Sequence, residues 1–172
     1  MSDRLRLYAV LVGGAHARAS IELHDVQFAA GRTIEETFPL LRQRWWGTPA
    51  SLHIDAYAEL ETVDGHDIAL TQAHAPRGDV SLYFVNTGGY EPSVFNELHA
   101  FSFHVGRDKP AIWAAARTCT AFASKHKDNF DQIDDVICID DALGLQKLSL
   151  RLTPTSKPDA VHVTARYIPV GA

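Results

Sequence analysis

The chain repeats part of itself, and that constrains its fold more than any local pattern does. Residues 7–32 set against 82–107 agree at eleven of twenty-six positions without a gap: Leu7/Leu82, Tyr8/Tyr83, Val10/Val85, Gly13/Gly88, Gly14/Gly89, Glu22/Glu97, Leu23/Leu98, His24/His99, Phe28/Phe103, Gly31/Gly106 and Arg32/Arg107. An internal period sets the architecture before any single element is read, because both copies must adopt the same supersecondary unit. The shared residues include Glu and His, which a hydrophobic core does not require. The likeness resumes after a segment of different length, where His53-Ile54-Asp55 is answered by His126-Lys127-Asp128 at an offset two residues shorter. A connecting loop absorbs such a change more readily than a strand or helix.

Residues 7–12 are rich in Val, Leu and Tyr and stop at Gly13-Gly14, as a buried strand entering a tight turn does; 82–85 with Gly88-Gly89 repeat the pattern. The ordinary role of such a glycine pair is a turn with positive φ. A phosphate loop fits poorly, since neither G-x-G-x-x-G nor a Walker lysine follows. Second strands come at 21–29 and 96–105, and the short loops before them favour antiparallel neighbours. Residues 33–45 read as a helix: Thr33 and Glu36 form a capping box, Ile34, Phe38, Leu41 and Trp45 an apolar stripe, and Pro39 a slight bend. In the second copy Asp108 caps and Pro110 opens a helix running to Lys125, with Ile112, Ala115, Ala116, Cys119, Phe122 and Ala123 as its stripe. Trp45, Trp46 and Trp113 are expected to pack where helices meet the sheet.

Residues 52–63 alternate as a strand, turn at Asp64-Gly65 and return through 68–70. The second copy has a buried strand at 133–139 instead. Two further strands at 148–152 and 161–168 lack counterparts at the start, are counted with copy two and are expected to finish the sheet edge. The expected fold is α+β, a tandem duplication of a strand-strand-helix-strand-strand unit, mainly antiparallel, with helices on one face and a pseudo-twofold relation. Copy one spans 1–75 and copy two 76–172. A 75-residue unit is marginal alone, so the copies are expected to form one compact body.

Composition removes several functions. A net charge of -5 and a pI near 5.9 leave no basic stripe for nucleic acid or an anionic membrane. The nearest candidate, Arg42 and Arg44, shares its segment with Glu35 and Glu36. Cys119 and Cys138 have no C-x-x-C spacing and read as small core residues. The start reads directly into the repeat, with no signal peptide and no stretch of membrane-spanning length, so a cytoplasmic protein is expected. The terminal strands offer an edge on which a second copy can pair, giving a homodimer.

The chemistry rests on repeated polar residues. Glu22 and His24, two apart on a strand, point the same way as Val26 and Phe28; Glu97 and His99 repeat them. A carboxylate and an imidazole on a core-facing side must be hydrogen-bonded, liganded or open to a cavity. In one reading they brace the Gly-Gly loop. In the other they join His53 and Asp55, with His126 and Asp128 in the second copy, to bind a divalent metal or to act as general acid and base. The alternation Ile54, Ala56, Ala58, Leu60 sets His53 and Asp55 on the opposite, wetter side, and His126-Lys127-Asp128-Asn129 looks like a helix-end loop. A third geometry brings Glu22, His24, Glu97 and His99 to one shared centre. Imidazole plus carboxylate without thiolate suits zinc, iron or manganese. Gly13, Gly14, Gly88 and Gly89 would line the ligand site. No G-x-S-x-G elbow or repeated cysteine supplies a nucleophile.

In Leu7-Tyr8 through Gly13-Gly14, Glu22-Leu23-His24-Asp25-Val26, Ile34-Glu35-Glu36-Thr37-Phe38-Pro39, Leu52-His53-Ile54-Asp55-Ala56-Tyr57 and His126-Lys127-Asp128-Asn129, the chain resembles a bacterial family described only as a domain of unknown function, fifteen forty-three in its series. The family carries one or two copies of the domain. The resemblance implies a bacterial intracellular protein and brings no activity or cofactor with it. The residues therefore point to a small-ligand- or metal-binding polar cluster of Glu and His, and, as the rival, to a non-catalytic structural or protein-protein interaction module.

Overall fold

The computed structural model describes residues 4–71, 78–116, 122–125 and 133–171. In chain order its elements are β1 (Arg6–Gly14), β2 (Leu23–Gly31), α1 (Phe38–Arg44), β3 (His53–Val63), β4 (His66–Thr71), β5 (Ser81–Tyr90), β6 (Leu98–Gly106), α2 (Lys109–Ala116), β7 (Ser124–Lys125), β8 (Ile133–Cys138), α3 (Ile139–Ala142), β9 (Ser149–Pro154) and β10 (Ala160–Pro169). This is a mostly antiparallel α+β fold with short helices. Its contacts divide it into two units, residues 1–75 with 142–172, and residues 76–141.

In the first unit β1 lies between β2 and β3, β10 lies along β3, and the β3–β4 hairpin carries β4 across to β9. Asp64 and Gly65, at φ 44° and 68°, make the hairpin turn expected of them. One face of β1 carries Tyr8, Val10 and Val12, which pack with Ala29, Ile54, Ile34, Leu41, Trp45 and Val170 under α1. That helix is shorter than its apolar stripe implied. Glu35–Thr37 is a 3-10 turn and Pro39 sits in the first turn of α1, where its missing N–H costs nothing, so no bend is needed. Glu36 accepts from the Arg32 N–H at 2.8 Å. No side-chain cap forms on Ile34 or Thr37. Trp45 is buried, whereas Trp46 is 58% exposed, against the expectation of core packing.

The C-terminal strands do not extend the second copy's sheet. They pair with β3 and β4, and the chain leading to them is tied to β2: Gln146 donates to Ala30 O and accepts from Ala30 N, both at 2.8 Å. Arg44 donates to Phe28 O at 2.8 Å and to Ala142 O. These groups satisfy an edge strand that would otherwise present bare backbone. Burial holds the nearby Asp25 carboxyl above its usual range, against the opposing pull of the Val26 N–H and the Arg44 guanidinium.

In the second unit β5 is flanked by β6 on one side and by β7 and β8 on the other. Tyr83, Val85, Val136 and Cys138 pack with Ile112 and Ala116 of α2. Asp108 caps that helix, accepting from Ala111 N at 2.8 Å. Residues 122–123 are bends and 124–125 a strand, so the helix does not run to Lys125. Cys119 lies outside the described residues. The β1–β2 and β5–β6 hairpins share one register: Arg6↔Gly31 through Gly14↔Leu23 corresponds pair by pair to Ser81↔Gly106 through Gly89↔Leu98.

Candidate functional site

Gly13 sits in a row across three strands. Its register partners are His24 on β2 and His53 on β3, so two imidazoles flank a residue with no side chain, on the sheet face away from α1. A Cβ on Gly13 would lie 2.8 Å from Asp55 Oδ2, 2.8 Å from His53 Nε2 and 3.1 Å from His24 Cδ2. The glycine is thus the space in which these groups meet. Neither it nor Gly14 has positive φ; both belong to β1, and the expected turn is absent. Gly14 is required on the other face, where a Cβ would lie 2.8 Å from Trp45 and 2.9 Å from Ser51 Oγ.

Simple alternation set His53 and Asp55 apart from the other candidates, and a β-bulge overturns that. Leu11 pairs with Ala56 but Val12 with Ile54, leaving Asp55 as an extra residue. One inserted residue flips the faces beyond it. Ile54 therefore packs under α1, while Ala56, Ala58 and Leu60 share the Gly13 face with His53. The row of apolar residues that looked like one face is two.

His53 is the buried member, its side chain 3% exposed. Its Nδ1 donates to Ser51 O at 2.9 Å, which turns Nε2 towards two carboxylates. Asp55 Oδ1 is 3.4 Å from it and Glu22 Oε2 3.8 Å. Asp55 Oδ2 stands 3.4 Å from His24 Nε2, is buried, and accepts no hydrogen bond. The groups form a chain, His24 to Asp55 to His53 to Glu22. Glu22 precedes β2 and turns to His53 rather than His24, and the side chains of Glu22 and His24 are half exposed. Tyr167 of β10 lies over the His53 ring, centroids 4.6 Å apart and planes 31° apart. Ser51 and Tyr167 carried no signal in the sequence, because neither belongs to a repeated position. Among the described residues, no group of three or more His, Cys, Asp or Glu side chains is placed so that it could hold a metal ion as the side chains stand.

Among the described residues the second unit shows part of this arrangement. Gly88 pairs with His99 as Gly13 does with His24. His99 Nδ1 is 3.1 Å from Asn86 Oδ1, and its Nε2 is 4.0 Å from Glu97 Oε2. The bulge recurs at the same place, Asn86 pairing with Asp135 and Thr87 with Ile133, so the backbone position of Asp55 is taken by Asp134. The preceding-but-one residue, where the first unit has His53, is Gln132. His126 and Asp128, which the sequence offered as counterparts, lie outside the described residues, as does Gln132. Among the described residues no helix is long and apolar enough to cross a membrane.

Residues 19–70, which include Glu22, His24, His53 and Asp55, match the family Domain of Unknown Function (DUF1543). The whole chain is similar to a solved structure, the crystal structure of protein Il1583 from Idiomarina loihiensis, at 30% identity and a TM-score of 0.72, covering 96% of this chain and 97% of that one. No curated protein matches the sequence.

Proposed function

We propose a metal-binding function for this chain, which belongs to the family Domain of Unknown Function (DUF1543): one divalent transition-metal ion at the Gly13 row, held by His53, Asp55 and His24, with Glu22 beside it. The observation that carries this reading is the orientation of His53. Its Nδ1–H is held by a backbone carbonyl, the arrangement that presents Nε2 of a metal-ligating histidine, and Nε2 faces carboxylate oxygens. Nitrogen and carboxylate so placed call for a positive charge on or between them, a proton or a metal ion. Two ligands each about 2.0–2.1 Å from a tetrahedral ion stand roughly 3.3–3.4 Å apart, close to the 3.4 Å of the His53–Asp55 and His24–Asp55 contacts. His53 is buried and tethered to Ser51 O, while the half-exposed His24 and Glu22 would swing inward to turn the chain of pairs into a ring. Nitrogen and oxygen donors without thiolate suit zinc, manganese or iron(II).

The common hairpin register and common bulge support descent of the two units from one duplicated ancestor. Equilibrium dialysis of tag-free protein against Zn²⁺ and Mn²⁺, with elemental analysis, tests the binding. One ion per chain is expected, lost in His53→Gln/Asp55→Asn. Retention by that variant, or no uptake by the wild type, refutes it.

The bracing reading has its own support in the second unit, where His99 meets Asn86 and Glu97 without a described second histidine. It predicts that His24→Ala/His99→Ala lowers the melting temperature without changing metal content.

A further inference from the structure

We infer that Tyr167, contributed by the C-terminal strand, is a positioning residue for the site: it holds the plane of the His53 imidazole so that Nε2 stays aimed at the Gly13 row. The inference builds on the metal-binding reading but is separable from it. An imidazole tethered by one hydrogen bond, from Nδ1 to Ser51 O, can still swing about that contact. A second restraint must act on the ring plane. Gly13 offers no side chain to supply it. Tyr167 does, with its ring 4.6 Å from that of His53 and tilted by 31°.

The way β10 reaches this point argues against ordinary packing. Its pairing with β3 is regular from Val161↔Leu60 to Ala165↔Ala56, then slips before Ile168↔Ile54. Arg166 and Tyr167 together stand opposite the single residue Asp55, one residue more on β10 than on β3, at the place where β3 bulges against β1. Bulges re-aim side chains, and here two on neighbouring strands coincide at the site. The Tyr167 side chain does not fill the core: the residue is 66% exposed, while the ring beneath it is 3% exposed. A large apolar ring left in water over a buried imidazole contributes little burial for its size, which favours orientation of His53 as its role.

Two readouts test this. The first is the two-bond ¹H–¹⁵N correlation spectrum of the histidine rings, with the His53 signals assigned by their loss in His53→Gln. Wild type and Tyr167→Phe are expected to show the single Nδ1–H tautomer, and Tyr167→Ala averaged or shifted His53 ring signals. The second is affinity for Zn²⁺ alone. Loss of groups that orient a ligating histidine lowers affinity roughly 10- to 100-fold. Tyr167→Ala should fall in that range and Tyr167→Phe should restore wild-type binding, with melting temperatures little changed because the side chain is exposed. If Tyr167→Ala keeps both the tautomer signature and the affinity, the inference is overturned; if Phe fails to restore them, the ring is not the agent. Absence of Zn²⁺ binding by the wild type would defeat the metal-binding reading while leaving the spectroscopic result to decide the role of Tyr167.

Discussion

The two units begin alike and end differently at the same place. Each has a central strand with Gly-Gly at its end, a histidine registered against the first glycine and a bulge one residue earlier on the opposite neighbour. In the first unit that neighbour brings a buried histidine whose Nδ1 donates to a backbone carbonyl. In the second the described partners of His99 are an amide and a glutamate. The comparison teaches that a glycine notch and one registered histidine recur with the hairpin, while among the described residues the buried histidine across the notch is seen in the first unit.

Removing that histidine should separate the units most sharply. His53→Ala opens a cavity and strands the Ser51 carbonyl, so a loss of about 2–4 kcal/mol in urea unfolding is expected, whereas the more exposed His99 should cost within about 0.5 kcal/mol on mutation to Ala. Equal losses would break the contrast. Next comes Gly13→Ala, whose Cβ would collide with Asp55 and His53. It should cost roughly 1–3 kcal/mol as overpacking and abolish metal uptake by dialysis. A smaller effect is expected for His24→Gln, which should weaken Zn²⁺ binding in titration calorimetry by about 10-fold or more, while His99→Gln leaves the affinity and the one-to-one stoichiometry unchanged.

The smallest effect concerns pH in the first unit's α1 face. Asp25 has a folded pKa raised by burial above its unfolded value of 3.8, so the folded state binds the proton more tightly. Stability contributed by this group is present below 3.8 and declines as pH rises through the folded value. Asp25→Asn should flatten that part of the unfolding profile; an unchanged slope would contradict the assignment.

Much of the fold was legible because recurring residues and alternation can be read from the chain itself. The β1–β2 and β5–β6 hairpins, the Asp64-Gly65 turn and the Asp108 cap follow from local chemistry. The site was legible only in part. Glu22 and His24 were marked by repetition, but the meeting of His53 and Asp55 with them depends on a bulge, and periodicity assumes that none exists. Gly13-Gly14 read as a turn because glycine advertises positive φ; here the pair serves close approach of side chains, a tertiary demand invisible in one strand. The same limit explains why the partners of β9 and β10 were not legible: strand partners far apart in sequence are chosen by available edges, and β3 and β4 offered theirs.

The most direct test is anomalous diffraction from crystals of the wild-type chain equilibrated with Zn²⁺ and measured at the zinc edge. The account predicts one strong peak per chain, about 2.0–2.1 Å from His53 Nε2 and within reach of Asp55 and His24. A peak only at His99 or other surface residues, or none in the Gly13 row, would contradict it.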